Sequence, residues 1–251
     1  MSELLAINFD RPVLLEPEFR GYRQRATRSS RGWGVAWFVG DRPFFYKEAY
    51  IPGRSHELDT LGQIHRPVQS QTLIGHVLYG KREDVAVHRT GPFLHALNHS
   101  SLVWVATGSL SGIPSPEHMK PEGDHPLELA FCWLLEQVRS RQIDLSDAEA
   151  LAALFRELNS FGNVIAVMSD GDRLWVYTDR DGYKPVYVAR LAGTFPPVTL
   201  MDEDWDVDIR RGDNAPANGY VVATNRLFEG DWESLAPGTL AVIENGNMLQ
   251  S

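Results

Sequence analysis

The chain has 251 residues, 43% hydrophobic and 23% charged, which is enough for a sizeable core, and its net charge of −9 opposes attraction to nucleic acid or anionic lipid. Its one cysteine, Cys132, excludes an intrachain disulfide framework, and the flanking Phe131 and Trp133 mark it as a buried, inert thiol suited to a reducing cytoplasm. No apolar run approaches ~18 residues and no basic-then-apolar leader is present, so neither a membrane span nor export is expected.

In chain order, the first signal is Met1-Ser2-Glu3. A hydroxyl residue directly behind the initiator Met becomes an N-terminal nucleophile once Met1 is removed. Its own α-amine, with an ordinary pKa of about 7.7–8.0, can take the hydroxyl proton. Leu4 to Phe9 reads as a strand, Pro12 and Pro17 break any helix, and Arg20 to Arg31 forms a basic, polar loop. Gly32 to Val39, a turn at Gly40-Asp41 and Phe44 to Lys47 form a hairpin, with Gly32 and Gly34 as packing or close-approach glycines. Ser55 to His65 carries Leu58, Leu61 and Ile64 at helical spacing.

Thr72 to Tyr79 and Leu102 to Ala106 are apolar strands, separated by a long loop that holds Thr90-Gly91-Pro92-Phe93. Leu127 to Val138 is a helix with a wide apolar face, and a second helix starts at Ser146, where Ser146 and Glu149 suggest a capping box. Strands follow at Val164 to Met168, Leu174 to Thr178, Val186 to Leu191, Tyr220 to Thr224 and Leu240 to Ile243. Strands on both sides of a central helical pair, with mostly hairpin-length connections, predict an α+β layered sandwich in one domain spanning 1–251.

Taken together, these pieces resemble the class II glutamine amidotransferases, and in particular their short stand-alone bacterial members. The residues that carry the likeness are Met1 to Leu5, Gly32-Trp33-Gly34, Tyr46-Lys47-Glu48, His76-Val77 with Tyr79, Pro92-Phe93, Gly108 with Leu110, Ala130 to Leu135, Ser169-Asp170-Gly171, and Trp232 with Pro237-Gly238. The resemblance implies a four-layer αββα sandwich of two mostly antiparallel sheets, the N-terminal-nucleophile hydrolase fold, with the nucleophile at the start of a central strand and no cofactor or metal.

Against that pattern the departures are concentrated in the polar groups. The family's second residue is a Cys that attacks the side-chain amide of glutamine; this chain has Ser2. The Arg that pairs with the substrate carboxylate in the family's His-Val-Arg-Tyr strand is Leu78, which pairs with no charge. The oxyanion-hole Asn-Gly is Thr107-Gly108, so the side-chain amide donor is gone. The Asp that binds the substrate ammonium corresponds to Pro126, and the family's His-Pro-Phe corresponds to Gly91-Pro92-Phe93. One engineered Cys-to-Ser change does not account for all of these, so natural divergence does.

Two functions follow as expectations. The first is a non-catalytic binding or scaffold protein whose partner is an active paralogue or a synthase. The second is an amidohydrolase of altered specificity acting on a small-molecule amide, with Ser2 as nucleophile and Thr107 and Gly108 at the oxyanion hole. The pocket positions would be Gly32, Trp33, His76, Leu78, Gly91 and Pro126. His76 is expected to be a strand residue satisfied by hydrogen bonding, His95 and His99 packing or solvated residues, and Asp202, Asp204, Asp206 and Asp208 one solvated strand face rather than a calcium loop. Lys81 and Arg82 fall where the family's pocket rim would be, a place for a different anionic ligand.

Overall fold

The computed structural model describes residues 2–17, 30–49, 68–80, 86–98, 100–213 and 215–250. The loop expected over Arg20 to Arg31 lies almost wholly outside these residues. The helix expected over Ser55 to His65, the pair Lys81 and Arg82, and His99 lie entirely outside them.

Alternation of apolar side chains produces two stacked antiparallel sheets. The larger is built around β1 (Glu3–Pro17), which pairs with β4 (Val68–Tyr79) on one side and β12 (Gly219–Ala223) on the other. Leu5, Ile7 and Phe9 are buried on one face and Leu4 and Ala6 on the other, the mark of a central strand covered on both sides. Beyond β4 come β2 (Ser30–Val39) and the edge strand β3 (Arg42–Glu48), joined by the expected turn, where Gly40 has φ +61°. Beyond β12 come β9 (Tyr187–Leu191) and β13 (Trp232–Ser234), while β10 (Val198–Met201) and β11 (Asp206–Arg210) form a hairpin against the far end of β1.

The smaller sheet runs β15 (Asn247–Gln250), β14 (Leu240–Glu244), β8 (Arg173–Tyr177), β7 (Gly162–Ser169), β6 (Ser100–Leu110) and β5 (Phe93–Leu97). Strand β5 falls within the stretch expected to be loop. It forms because Phe93 and Leu97 bury their side chains while the segment pairs in register with β6.

Between the sheets, Leu4, Ala6, Ala36 and Ile74 pack on Val103, Val105, Ile165 and Val167. Outside the smaller sheet lie α1 (Pro126–Ser140) and α2 (Ala148–Leu158). Trp104 stacks on Phe131 at 5.2 Å and on Phe155 at 6.0 Å, and Phe155 on Tyr177 at 5.1 Å, tying both helices to the sheet. The result is the expected α+β layered sandwich.

At the start of α2 the cap differs from the expected box. Asp147 is the N-cap and accepts from Ala150 N–H at 3.0 Å, while Ser146 bonds to Asp144. A carboxylate one residue nearer the helix offers the stronger acceptor for its free N–H groups. No described helix is long and apolar enough to cross a membrane.

Candidate active site

Ser2 sits where β1 begins, buried at 5% exposure, against Thr107 of the smaller sheet. Its N–H donates to Thr107 Oγ1 at 3.2 Å, its carbonyl accepts from Lys184 Nζ at 3.3 Å, and its Oγ accepts from Tyr79 N–H at 3.4 Å. Each polar group of the residue is therefore held. Thr107 is buried on β6, on the same inward face as Val103 and Val105. The next residue, Gly108, has φ +149°, and a Cβ there would stand 2.0 Å from the Asn163 carbonyl oxygen, so no other residue fits.

The register fixes the neighbours. Glu3 pairs with Val77 and Leu4 with His76, so one step further along β1 Ser2 comes beside Leu78. Across β4, Leu78 pairs with Gly32 and His76 with Gly34. Leu78 is buried, and it brings hydrocarbon to the floor beside Ser2. Gly32 and Gly34 are packing glycines: a Cβ at Gly32 would lie 2.3 Å from Thr90 Oγ1, and one at Gly34 would lie 2.5 Å from the Gly91 carbonyl. The Thr90-Gly91-Pro92 segment, with a cis Gly91–Pro92 bond, thus rests directly on β2.

His76 departs from expectation. Its ring is fully buried, and among the described residues neither nitrogen has a hydrogen-bond partner. On this face its strand neighbours Leu4 and Gly34 carry no polar side chain, and Gly91 packs against Nδ1. Burial, reinforced by nearby His125, pushes its pKa down to about 3, so the imidazole is neutral and a poor base.

Two further candidate positions are Trp33 and Pro126. Trp33 faces the outer core of the larger sheet, its ring 5.3 Å from Tyr46. Pro126 is exposed as the first residue of α1, after the N-cap His125, which accepts from Leu127 N–H.

The structure adds residues that sequence reasoning missed. Lys184 Nζ lies 2.5 Å from Glu3 Oε1, both side chains nearly buried. Glu3 Oε2 accepts from Thr224 Oγ1 at 2.6 Å and from Asn225 Nδ2 at 3.1 Å, and Asn225 also donates to Asp202. Tyr79 donates through its hydroxyl to Asp204. The aspartates therefore do not share one solvated face: Asp204 is buried, and Asp202 Oδ1 accepts from Asp204 N–H and Trp205 N–H as a turn cap. Burial, with Asp202 and Glu3 nearby, pushes the Asp204 carboxyl up to about 6 despite the Tyr79 bond. Partners 181 residues apart leave no local signal, although Glu3 beside the candidate nucleophile was open to suspicion.

His95 has a packing role, against the Phe131 ring, with Nε2 3.3 Å from Cys132 Sγ and 3.6 Å from Glu128 Oε1. Burial and the Glu128 charge push the Cys132 thiol up to about 12, which keeps it unreactive. Among the described residues no group of three or more His, Cys, Asp or Glu could hold a metal ion.

Comparison with known proteins places this geometry in context. The family model for class II glutamine amidotransferases matches residues 1–251. An uncharacterized protein of Methanocaldococcus jannaschii is 26% identical over 260 residues, covering 100% of this chain and 71% of that protein. YafJ of Escherichia coli strain K12, provisionally designated a glutamine amidotransferase, is 27% identical over 249 residues and 95% of each chain. Among solved structures, a glutamine amidotransferase so designated by prediction from Pseudomonas aeruginosa PA01 superposes with TM-score 0.82 at 25% identity, over 99% of this chain and 100% of that one. The glutamine phosphoribosylpyrophosphate amidotransferase of B. subtilis shares the fold, with TM-score 0.61 at 16% identity over 99% of this chain and 48% of its own.

Proposed function

Because the chain belongs to the class II glutamine amidotransferases, we propose that it keeps their fold as a binding or scaffold protein without glutaminase activity. The observation that carries this reading is Leu78, buried beside Ser2 at the position of the family's carboxylate-pairing Arg. A hydrocarbon side chain there leaves the charged head group of glutamine without a counter-ion. Thr107 in place of the oxyanion Asn adds to the loss, since removal of one such donor typically lowers kcat by about 10²–10³. The whole chain acts as one domain in the cytoplasm, a placement supported by its lone, buried Cys132. Its partner is an active paralogue or a synthase that requires the fold and not the ammonia.

A second reading is an amidohydrolase in which Ser2, freed of Met1, attacks an uncharged amide. It is favoured by the Thr107 and Lys184 contacts that hold Ser2 at the nucleophile position. Intact-mass analysis after exposure to activated amides and esters separates the two. The scaffold reading expects no acyl adduct, and an adduct that disappears in Ser2→Ala would establish the second reading in its place.

A further inference from the structure

Lys47 of β3 belongs to a segment, Tyr46-Lys47-Glu48, to which the proposed function gives no role. The register lays it in one row with Gly34, His76 and Leu4, and the residues of a row share a face of the sheet. Leu4 packs between the sheets, so Lys47 points toward the same space from the edge strand. Its stem crosses Gly34, where an added Cβ would come within 2.8 Å of the Lys47 Cβ. The ammonium then ends between two aromatic rings, 5.5 Å from the centroid of Phe93 on β5 and 5.8 Å from that of Phe45. Phe93 is buried and Phe45 is 46% exposed, so the slot has one dry wall and one side that meets water.

A lysine withdrawn from water is normally paired, yet among the described residues Lys47 Nζ has neither an ion pair nor a hydrogen bond. Glu128 and Glu122 act on it from a distance. Glu128 already accepts from the Glu122 and Gly123 N–H groups at 2.8 and 2.9 Å, and Glu122 is exposed. Burial outweighs these two charges and holds the amine below the usual lysine value. The rings stand near the ~6 Å limit of cation–π contact, so they exclude water more than they hold charge. Desolvation in an apolar slot is one way in which a lysine becomes a nucleophile. We propose that Lys47 is a carbonyl-binding amine, which condenses with a small, uncharged aldehyde or ketone of apolar body to form an imine. The amine nitrogen attacks the carbonyl carbon, both of its protons leave with the carbonyl oxygen as water, and a C=N bond remains. The two rings receive the apolar body, and Glu128 and Glu122 disfavour an anionic one. This chemistry does not involve Ser2.

The test exposes the full-length protein to benzaldehyde and cyanoborohydride, which reduces an imine to a stable benzylamine, and reads each lysine by peptide mass. At about pH 7, Lys47 is expected to be benzylated first, with a severalfold lead over the exposed Lys120, and Lys47→Arg to lose that fast label. The lead is expected to close at about pH 11, where a lysine of ordinary pKa, about 10.4, is largely neutral. Glyoxylate, an anionic aldehyde, is expected to give a smaller lead than benzaldehyde. Phe45→Ser, at an exposed position, admits water to the amine and is expected to narrow the lead with unchanged circular dichroism. Benzylation of Lys47 no faster than that of Lys120 at about pH 7 overturns the proposal. A lead of equal size at about pH 7 and about pH 11 overturns it too, since access alone then accounts for it. An equal lead for glyoxylate overturns the uncharged class of ligand.

Discussion

His76 and Asp204 are buried titratable residues whose protonation is displaced in opposite senses, and each leaves a pH signature. The folded His76 stays neutral down to about pH 3, whereas in the unfolded chain it takes a proton below about 6.5. The unfolded state then binds more protons, so this residue removes stability as pH falls from about 6.5 toward 3. His76→Leu is expected to lose less of its urea midpoint than wild type between about pH 7 and pH 5, and equal losses would count against the assignment. Asp204 behaves in the reverse way. Its folded pKa of about 6 stands above the ordinary 3.8, so its contribution is fully present below 3.8 and is lost as pH rises through about 6. Asp204→Asn should therefore exceed wild type in urea midpoint most at neutral pH, with the advantage shrinking as the solution is acidified. A constant difference would contradict it.

The nearly buried Lys184–Glu3 ion pair has a stability signature of its own. Removing one partner of a buried ion pair costs about 3–5 kcal/mol because the other charge is left uncompensated. Lys184→Met is expected to lose stability of about that size in urea unfolding, and Glu3→Gln added to it to recover part of the loss. A loss below about 1 kcal/mol would show the pair to be solvated. None of these contacts was legible in the chain. His76 was expected to be satisfied because a buried imidazole normally is, and Asp204 was expected to be exposed because alternating aspartates normally are.

Elements were more legible than contacts, because the periods of 2 and 3.6 act locally. The β2–β3 hairpin announced itself through Gly40-Asp41 between aromatic runs, and α1 through its apolar face. Strand β5 did not, since Phe93-Leu94-His95-Ala96-Leu97 is short and mixed, and only pairing with β6 makes it a strand. The α2 cap was ambiguous because Ser146 and Asp147 are both good cap residues. Asp147→Ala is expected to cost about 1 kcal/mol in thermal or urea unfolding, and Ser146→Ala much less. The reverse order would restore the Ser146 cap.

The position of the site follows from the stacking of the two sheets. Ser2 begins the strand at the centre of the larger sheet, and Thr107 faces it from the smaller sheet, so the fold brings them together whatever chemistry they perform. Resemblance made Ser2 and Thr107 legible as a pair, and the proposed function reads Leu78 as the loss of the family's carboxylate-pairing Arg. On that proposal, restoring only the family's nucleophile leaves the head group of glutamine without its counter-ion. The most direct test is ammonia release from glutamine by purified full-length protein, as wild type and as Ser2→Cys, with Met1 removal verified by mass. No release above the protein-free control is predicted for either, and glutamine-dependent ammonia from wild type or from Ser2→Cys would contradict the reading of a site emptied of its substrate contacts.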